Sequence, residues 1–458
     1  MTINKKTNIY WFLYYCVIVS ALAFTIMGFQ FVWFSRYLDN LVEEREISKS
    51  KAAWISSMFH IGVISSATSM SYFTNRQGRQ QAMVLTCVPH IMATILFTYA
   101  HELIFLYLSR FLCGLAFGVT QTVVPVYVSE IAHTKNRGAC ATCLMVMLAL
   151  GSLIANLSIK VLNIHRFSLI IFLMSCIHGC GIFFVEESPH FYVKNGEDQL
   201  AQESLERLRG FENVTLELIQ LKDRWELVSL NPKSGVNRKT FSILLLILCV
   251  SQVAYAPMNV YRKHISHMSH YSVLSLTSVF VIFTSVSAYF VDKCSSRFVF
   301  LTSMSGSTVC LCLEGTYHYL EEKYSDFETK HESLHVLVEF VYLIIYAFGV
   351  VSSPYVFVSE QFDINTRDTA GLMIALTSAI FGFIFIHLEA ILQTHEAHDN
   401  QVWACVVILI VCCVIGYFVT PDGTSRKSFE EIKMEGKMDN SVQSAAKVDA
   451  MFEAYSIV

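Results

Sequence analysis

Apolar stretches of about 20 residues recur twelve times along the chain, near 10–34, 52–72, 82–100, 103–127, 139–160, 167–185, 240–262, 271–291, 298–320, 335–359, 368–391 and 401–420. As a helix rising ~1.5 Å per residue, a run of that length matches the ~30 Å hydrocarbon layer of a bilayer. Short polar turns separate most of the runs, and the third and fourth are parted only by His101-Glu102. Two longer polar segments interrupt the pattern. Between the sixth and seventh runs, residues 186–239 place Leu200, Leu205, Leu208 and Phe211 among Glu203, Glu206, Arg207 and Arg209, the spacing of short amphipathic helices. Beyond Pro421 a polar tail carries Phe429-Glu430-Glu431-Ile432 and is then expected to fray. The pattern predicts an all-α membrane protein of twelve transmembrane helices: a six-helix bundle over 1–185, a cytoplasmic linker over 186–239, a second bundle over 240–420 and a cytoplasmic tail over 421–458. The first run is too long for a cleavable signal peptide and is followed by eleven more.

Composition supports this class and charge gives it an orientation. The chain is 54% hydrophobic and 15% charged, more apolar surface than a soluble protein of 458 residues can hide. With the N-terminus in the cytoplasm, the cytoplasmic segments hold 22 of the 33 Lys+Arg and the opposite side ten, with Arg110 alone inside a span. That asymmetry follows the positive-inside rule and puts both termini inside. Trp11 and Trp33, 22 residues apart, bracket the first span.

Duplicated charged motifs add function. Val128-Ser129-Glu130 and Val358-Ser359-Glu360 each lie at the end of the fourth run of their half, seven residues ahead of Arg137 and Arg367. Upstream of each, at the turn after the second run of the half, stand Asn75-Arg76-Gln77-Gly78-Arg79 and Asp292-Lys293-Cys294-Ser295-Ser296-Arg297. Two charged motifs in the same order in both halves mean one ancestral unit used twice, which in a membrane protein points to a transporter. A glutamate near the low-dielectric boundary needs a cation, and an arginine presents a planar fork suited to carboxylate. Opposite charges on one membrane face, drawn from both halves, can assemble and come apart as the halves rock.

Other chemistry finds no support. The linker lacks a His/Cys/Asp cluster, and no glycine loop could cradle a phosphate, so neither catalysis nor ATP-driven transport is indicated. The 14 cysteines fall nearly all within spans, where they behave as small hydrophobes. No cofactor is expected, and nothing points to nucleic acid. The partners are a small solute and the bilayer, and a monomer can suffice.

The run from Arg110-Phe111-Leu112-Cys113-Gly114 through Pro125-Val126-Tyr127-Val128-Ser129-Glu130 to Arg137-Gly138 resembles the sugar-porter branch of the major facilitator superfamily, as do Glu187-Ser188-Pro189 and Lys427-Ser428-Phe429-Glu430-Glu431. Gly315-Thr316-Tyr317-His318-Tyr319-Leu320 is similar to the insect facilitated trehalose transporter-like group. The resemblance implies two pseudo-symmetric bundles with a site near the midplane, alternating access in the plasma membrane, and a cytoplasmic gate of Glu130, Arg137, Glu360, Arg367, Arg76, Arg79, Asp292, Lys293 and Arg297. The chain departs from the family at Asn75 and Gln80, which replace an aspartate and an arginine, and at Ser295, which replaces a glycine. It departs further at the sugar-contacting positions, which read Met145, Ser251, Pro257, Phe280, Tyr355, Ser378 and Ala379; of the usual amides only Gln252 is kept. Each sugar hydroxyl desolvated without a partner costs ~1–3 kcal/mol, so other groups must serve. Gln252, Asn259, Tyr355 and Gln121 are the candidate substrate-binding residues. No acidic residue precedes Asp39, so the first-span aspartate of sugar/proton symporters is missing and uniport of a hexose or trehalose-like disaccharide is expected. Transport of a less hydroxylated solute and a non-transporting sensor on the same fold are the alternatives.

Overall fold

The computed structural model describes residues 11–419, apart from 45–46, 100–101, 134, 160, 211–213, 231–237, 268–269, 325–326, 363 and 393–397; side chains at 255–272 lie outside that description. The described residues are helical throughout, with turns between. In the first half run α1 (Trp11–Glu44), α2 (Lys49–Gln77), α3 (Arg79–Val84), α4 (Cys87–Thr98), α5 (Leu103–Ile131), α6 (Arg137–Ser158) and α7 (Ile164–Ile182). Three short helices follow, α8 (Pro189–Asn195), α9 (Asp198–Arg209) and α10 (Thr215–Leu230). The second half comprises α11 (Arg238–His267), α12 (His270–Val291), α13 (Ser296–Lys323), α14 (Phe327–Ile345), α15 (Ser353–Gln361), α16 (Ile364–Leu392) and α17 (His398–Val419). Helices α3 and α4 together make the third span, and α14 and α15 the tenth.

Among the described residues, nine helical segments are long and apolar enough to cross a membrane. α2 is not one of them, because serines and threonines crowd one stretch of it. Ser65, Thr68 and Ser69 return their hydroxyls to carbonyls three or four residues back, which lets polar side chains sit at membrane depth. α2 lies against α5 within its own bundle and against α16 of the other. The reciprocal contact joins α6 to α12. Second span to eleventh and fifth to eighth is the pattern that a two-fold relation between the halves generates.

Backbones come unusually close at the crossing of α2 and α5. A Cβ on Gly114 would stand 2.0 Å from the Phe59 carbonyl oxygen, and one on Gly62 2.2 Å from that of Phe111. Small residues at membrane crossings permit this approach, and Phe59, Val63, Cys113 and Phe117 fill the space around it. The tenth span departs from the single helix expected over 335–359. It widens into a π-turn at Tyr346–Val350, where the Val351 N–H donates to the Tyr346 carbonyl, and restarts with Pro354 in the first turn of α15. Proline supplies no N–H to bridge that break, and Tyr355 follows it directly.

Below the bundles, α9 buries Ala201, Leu205 and Leu208 but leaves Leu200 exposed, so the apolar stripe is narrower than the sequence spacing suggested. Phe211 lies outside the described residues. Arg209 anchors this layer: its Nη1 donates to the Ile131 carbonyl at the end of α5, and Nη2 to Glu217 at 2.8 Å.

Candidate functional site

Arg79 stands at the centre of a buried charge cluster at the end of the bundles nearest α8–α10. Gly78, at φ +94°, turns the chain between α2 and α3, a conformation that glycine adopts without strain. The turn aims Arg79 inward, where it is 5% exposed. Its Nη2 donates to Glu130 Oε1 at 3.1 Å and to Asp368 Oδ1 and Oδ2 at 2.9 and 3.1 Å; Nε reaches Glu130 Oε2 at 3.3 Å, and Nη1 the Thr74 carbonyl. Glu130 belongs to the first half and Asp368 to the second, so one guanidinium ties the two together. Glu187 completes the base by accepting the backbone N–H groups of Arg79, Gln80 and Ser188 at 2.8–2.9 Å. Burial raises the Glu187 carboxyl above the usual range, and those three N–H groups oppose the rise.

The reciprocal contact runs from the second half to the first. Asp292, at the end of α12, accepts the Ala139 N–H with both oxygens at 3.2 Å and so caps the start of α6. Arg137 donates from Nη1 to the Ser359 carbonyl at 3.4 Å, and Glu360 accepts from Ser296 Oγ at 2.7 Å. Arg367 is buried and donates from Nε to the Phe362 carbonyl. The pairing expected within each motif is therefore not the one observed: Glu130 takes Arg79 rather than Arg137, and Glu360 takes Ser296 rather than Arg367. Chain separation is a poor guide here, since the loops that meet belong to different spans. Three predicted members sit apart from both of these contacts. Arg76 is exposed and stacks 4.6 Å over the Tyr72 ring, Lys293 lies 3.8 Å over the Tyr289 ring, and Arg297 donates to the Tyr417 carbonyl. Asp368 and Glu187 were not selected from the sequence, although Asp368 directly follows Arg367.

The departures at Asn75 and Gln80 find their own partners. Asn75 Oδ1 accepts from Lys194 Nζ at 2.6 Å, and the Gln80 amide donates to the carbonyls of Ile182 and Phe183 at the end of α7. His190, on α8, faces Glu130. Burial, reinforced by Arg367, Arg137 and Arg224 and opposed by Glu130, lowers the imidazole to about 3. The folded state thus binds fewer protons here than the unfolded state, whose histidine titrates near ~6.5. Stability should be full above that value and fall as pH drops from it toward 3, by about 2 kcal/mol at pH 5 from this group. His190→Gln is expected to flatten the difference in melting temperature between pH 7 and pH 5; an unchanged difference in the variant would exclude this group as its source.

Between the halves, within the membrane-spanning segments, Gln121 meets Tyr355 and Ser378. The Ser378 hydroxyl donates to Gln121 Oε1 at 2.8 Å, and Gln121 Nε2 lies 3.5 Å from the Tyr355 hydroxyl. Phe24 stands edge-on to Tyr355 at 6.0 Å. Two of the four predicted substrate-binding residues come together in this group. Gln252 is half-buried on α11, and the Asn259 side chain falls outside the described residues. Elsewhere in the second half, Glu314, His335 and Glu339 offer one ligand atom each within 4.8 Å, a donor set able to hold a proton or a divalent cation.

Known proteins share this architecture. The family model described as sugar (and other) transporter matches residues 8–435. "Sugar transporter ERD6-like 6" of Arabidopsis thaliana is 23% identical, covering 91% of this chain and 89% of the relative. "Solute carrier family 2, facilitated glucose transporter member 2" of Mus musculus is 26% identical, covering 83% and 76%. Among solved structures, the major facilitator superfamily proton:xylose symporter XylE bound to 6-bromo-6-deoxy-D-glucose superposes with a TM-score of 0.81 at 15% identity, covering 92% of this chain and 98% of that one. The inward-open XylE from E. coli gives 0.70 at 15% identity, with 92% and 99% covered. A match over nearly the whole length makes this chain a member of the sugar (and other) transporter family, with the fold of the major facilitator superfamily structure it superposes on.

Proposed function

We propose that the chain is a facilitative carrier that moves a hexose or a trehalose-like disaccharide down its gradient across the plasma membrane, with both termini cytoplasmic. The observation that carries this reading is the family match over residues 8–435, joined to a buried cation, Arg79, that bridges the two bundles. In the proposed cycle, Arg79 to Asp368 and Asp292 to the start of α6 close the cytoplasmic side, and their separation opens it. Residues 1–185 and 240–420 act as the two rocking units, and 186–239 braces the first from below.

The sugar is held between the halves by Gln121, Tyr355 and Ser378, with Gln252 and Asn259 contributing from α11. Gln121 offers both a donor and an acceptor, and Tyr355 a ring face for the sugar's C–H surface. Gln121→Leu should raise the KM for sugar about tenfold with surface expression unchanged, because Ser378 and Tyr355 lose a shared partner. An unaltered KM would remove Gln121 from the pocket.

Uniport rests on the polar residues buried in α1, which are Ser20, Thr25 and Gln30 and do not titrate. Uptake into proteoliposomes is expected to be the same with and without an inward proton gradient. A several-fold acceleration by the gradient would overturn uniport and direct attention to Glu314, His335 and Glu339. The buried Met145 and the partly buried Phe280 favour a less hydroxylated cargo as the second reading, which flux of another solute in place of sugar would establish.

A further inference from the structure

We propose that the first bundle holds a small-anion site at Arg110, taking a halide such as chloride, separate from the sugar pathway. Arg110 lies on α5 inside a membrane-spanning segment and is 6% exposed. Its guanidinium carbon stands 3.6 Å from the Phe34 ring centroid and 5.3 Å from that of Phe59, and the Cys113 thiol lies beside it. Among the described residues no carboxylate pairs with it, and its Nε–H has no hydrogen-bond partner. Rings satisfy the faces of a guanidinium but not its in-plane donors, which require an acceptor or a negative charge.

The space beside it supplies the rest of a site. A cavity of about 20 Å³ is bounded by Arg110, Gln30, Trp33, Phe34 and Ser168. One water-sized particle needs roughly 10–15 Å³ by this measure, so the cavity has room for one monatomic ion. The Ser168 hydroxyl, on α7, is buried and without a partner. Gln30 Nε2 lies 3.5 Å from His90 Nδ1, while its Oε1 is unpartnered. With the amide turned over, Oε1 accepts from His90 and the NH₂ joins the other donors; the two orientations have the same shape. A buried cation, a hydroxyl and an amide thus converge with aromatic walls, and they offer donors without a compensating carboxylate. That chemistry recognises an anion needing only donors, in a place where an uncompensated charge is costly. Of titratable side chains, His60 is the one that faces Arg110 from α2.

The purified full-length protein in nanodiscs, kept in gluconate buffer, tests this by equilibrium dialysis with radioactive chloride. Saturable binding of one ion per chain is expected, together with a melting temperature that rises with chloride. Ser168→Ala should weaken binding about tenfold. Gln30→Glu places a carboxylate on the same wall and should abolish both binding and the chloride-dependent rise while leaving a monodisperse folded protein. Binding no greater than that of empty nanodiscs, or undiminished binding in Gln30→Glu, would overturn the site.

Discussion

Replacing Arg79 by alanine is expected to lower sugar uptake more than tenfold while the protein still reaches the membrane. The guanidinium is the one described side chain that contacts carboxylates of both halves, and it does so in a buried setting with Glu130 and Asp368 on either side. Removing it leaves two carboxylates facing each other with no cation between them, and breaking a buried pair in this way costs about 3–5 kcal/mol. Because Asp368 is contributed by the other half, much of that loss falls on the state in which the halves meet at this end, and the equilibrium shifts toward the state in which they part there. Lysine at 79 should rescue poorly, since a point charge cannot reproduce the fork that spans both acids. Cys140, buried near the start of α6, reports the shift: in inside-out vesicles its reaction with a membrane-impermeant thiol reagent should speed up in Arg79→Ala. Arg76→Ala supplies the control, because Arg76 is exposed and leans on Tyr72; its uptake should stay within twofold of the parent. Equal losses of uptake and of surface protein in Arg79→Ala would mean that the cluster only stabilises the fold.

Gly114→Leu should have a still larger effect, on the fold itself. A Cβ there meets the Phe59 carbonyl oxygen at 2.0 Å and the Gly62 Cα at 3.0 Å, and both are backbone atoms that no rotamer change can move aside. The helices α2 and α5 must separate, which uncouples Phe59 and Val63 from Cys113 and Phe117. Overpacking of this kind costs typically ~1–3 kcal/mol even where side chains can yield, and more is expected where backbones collide. Size-exclusion of the detergent-extracted variant should give little or no monodisperse protein. Gly196→Ala, at φ +78° with nothing within 4 Å, should cost only about 1 kcal/mol in conformational strain and elute normally. A monodisperse Gly114→Leu with the parent's melting temperature would show that the crossing is looser than the backbone spacing indicates.

The span pattern and the duplicated motifs were legible in the sequence because hydrocarbon imposes its thickness and because copied units keep their order. Pairing was less legible. Glu130 and Arg137 lie seven residues apart, yet the turn between α5 and α6 carries the arginine toward Ser359 of the other half, while Arg79 arrives from the preceding loop. Which charges meet depends on how two bundles face each other, and no local period encodes that. Asp368 shows the limit well: it directly follows Arg367 in the chain, and only the approach of α16 to the end of α2 reveals what it binds. The break at 346–350 was hidden for a related reason. Tyr346 to Val350 reads as unbroken apolar helix, and a π-turn conserves that composition. The group of Gln121, Tyr355 and Ser378 was half visible, since Gln121 and Tyr355 stand out as polar or aromatic among apolar neighbours, whereas Ser378 registered only as a lost amide position.

Counterflow in proteoliposomes tests the central claim most directly. Vesicles holding the purified chain would be loaded with unlabelled glucose or trehalose, then diluted into trace labelled sugar with no ion gradient. A pocket that alternates between the two sides predicts a transient accumulation of label above its equilibrium level, present with the parent protein and absent with Arg79→Ala. Label that only equilibrates, or that enters no faster than into protein-free vesicles for either sugar, would contradict it.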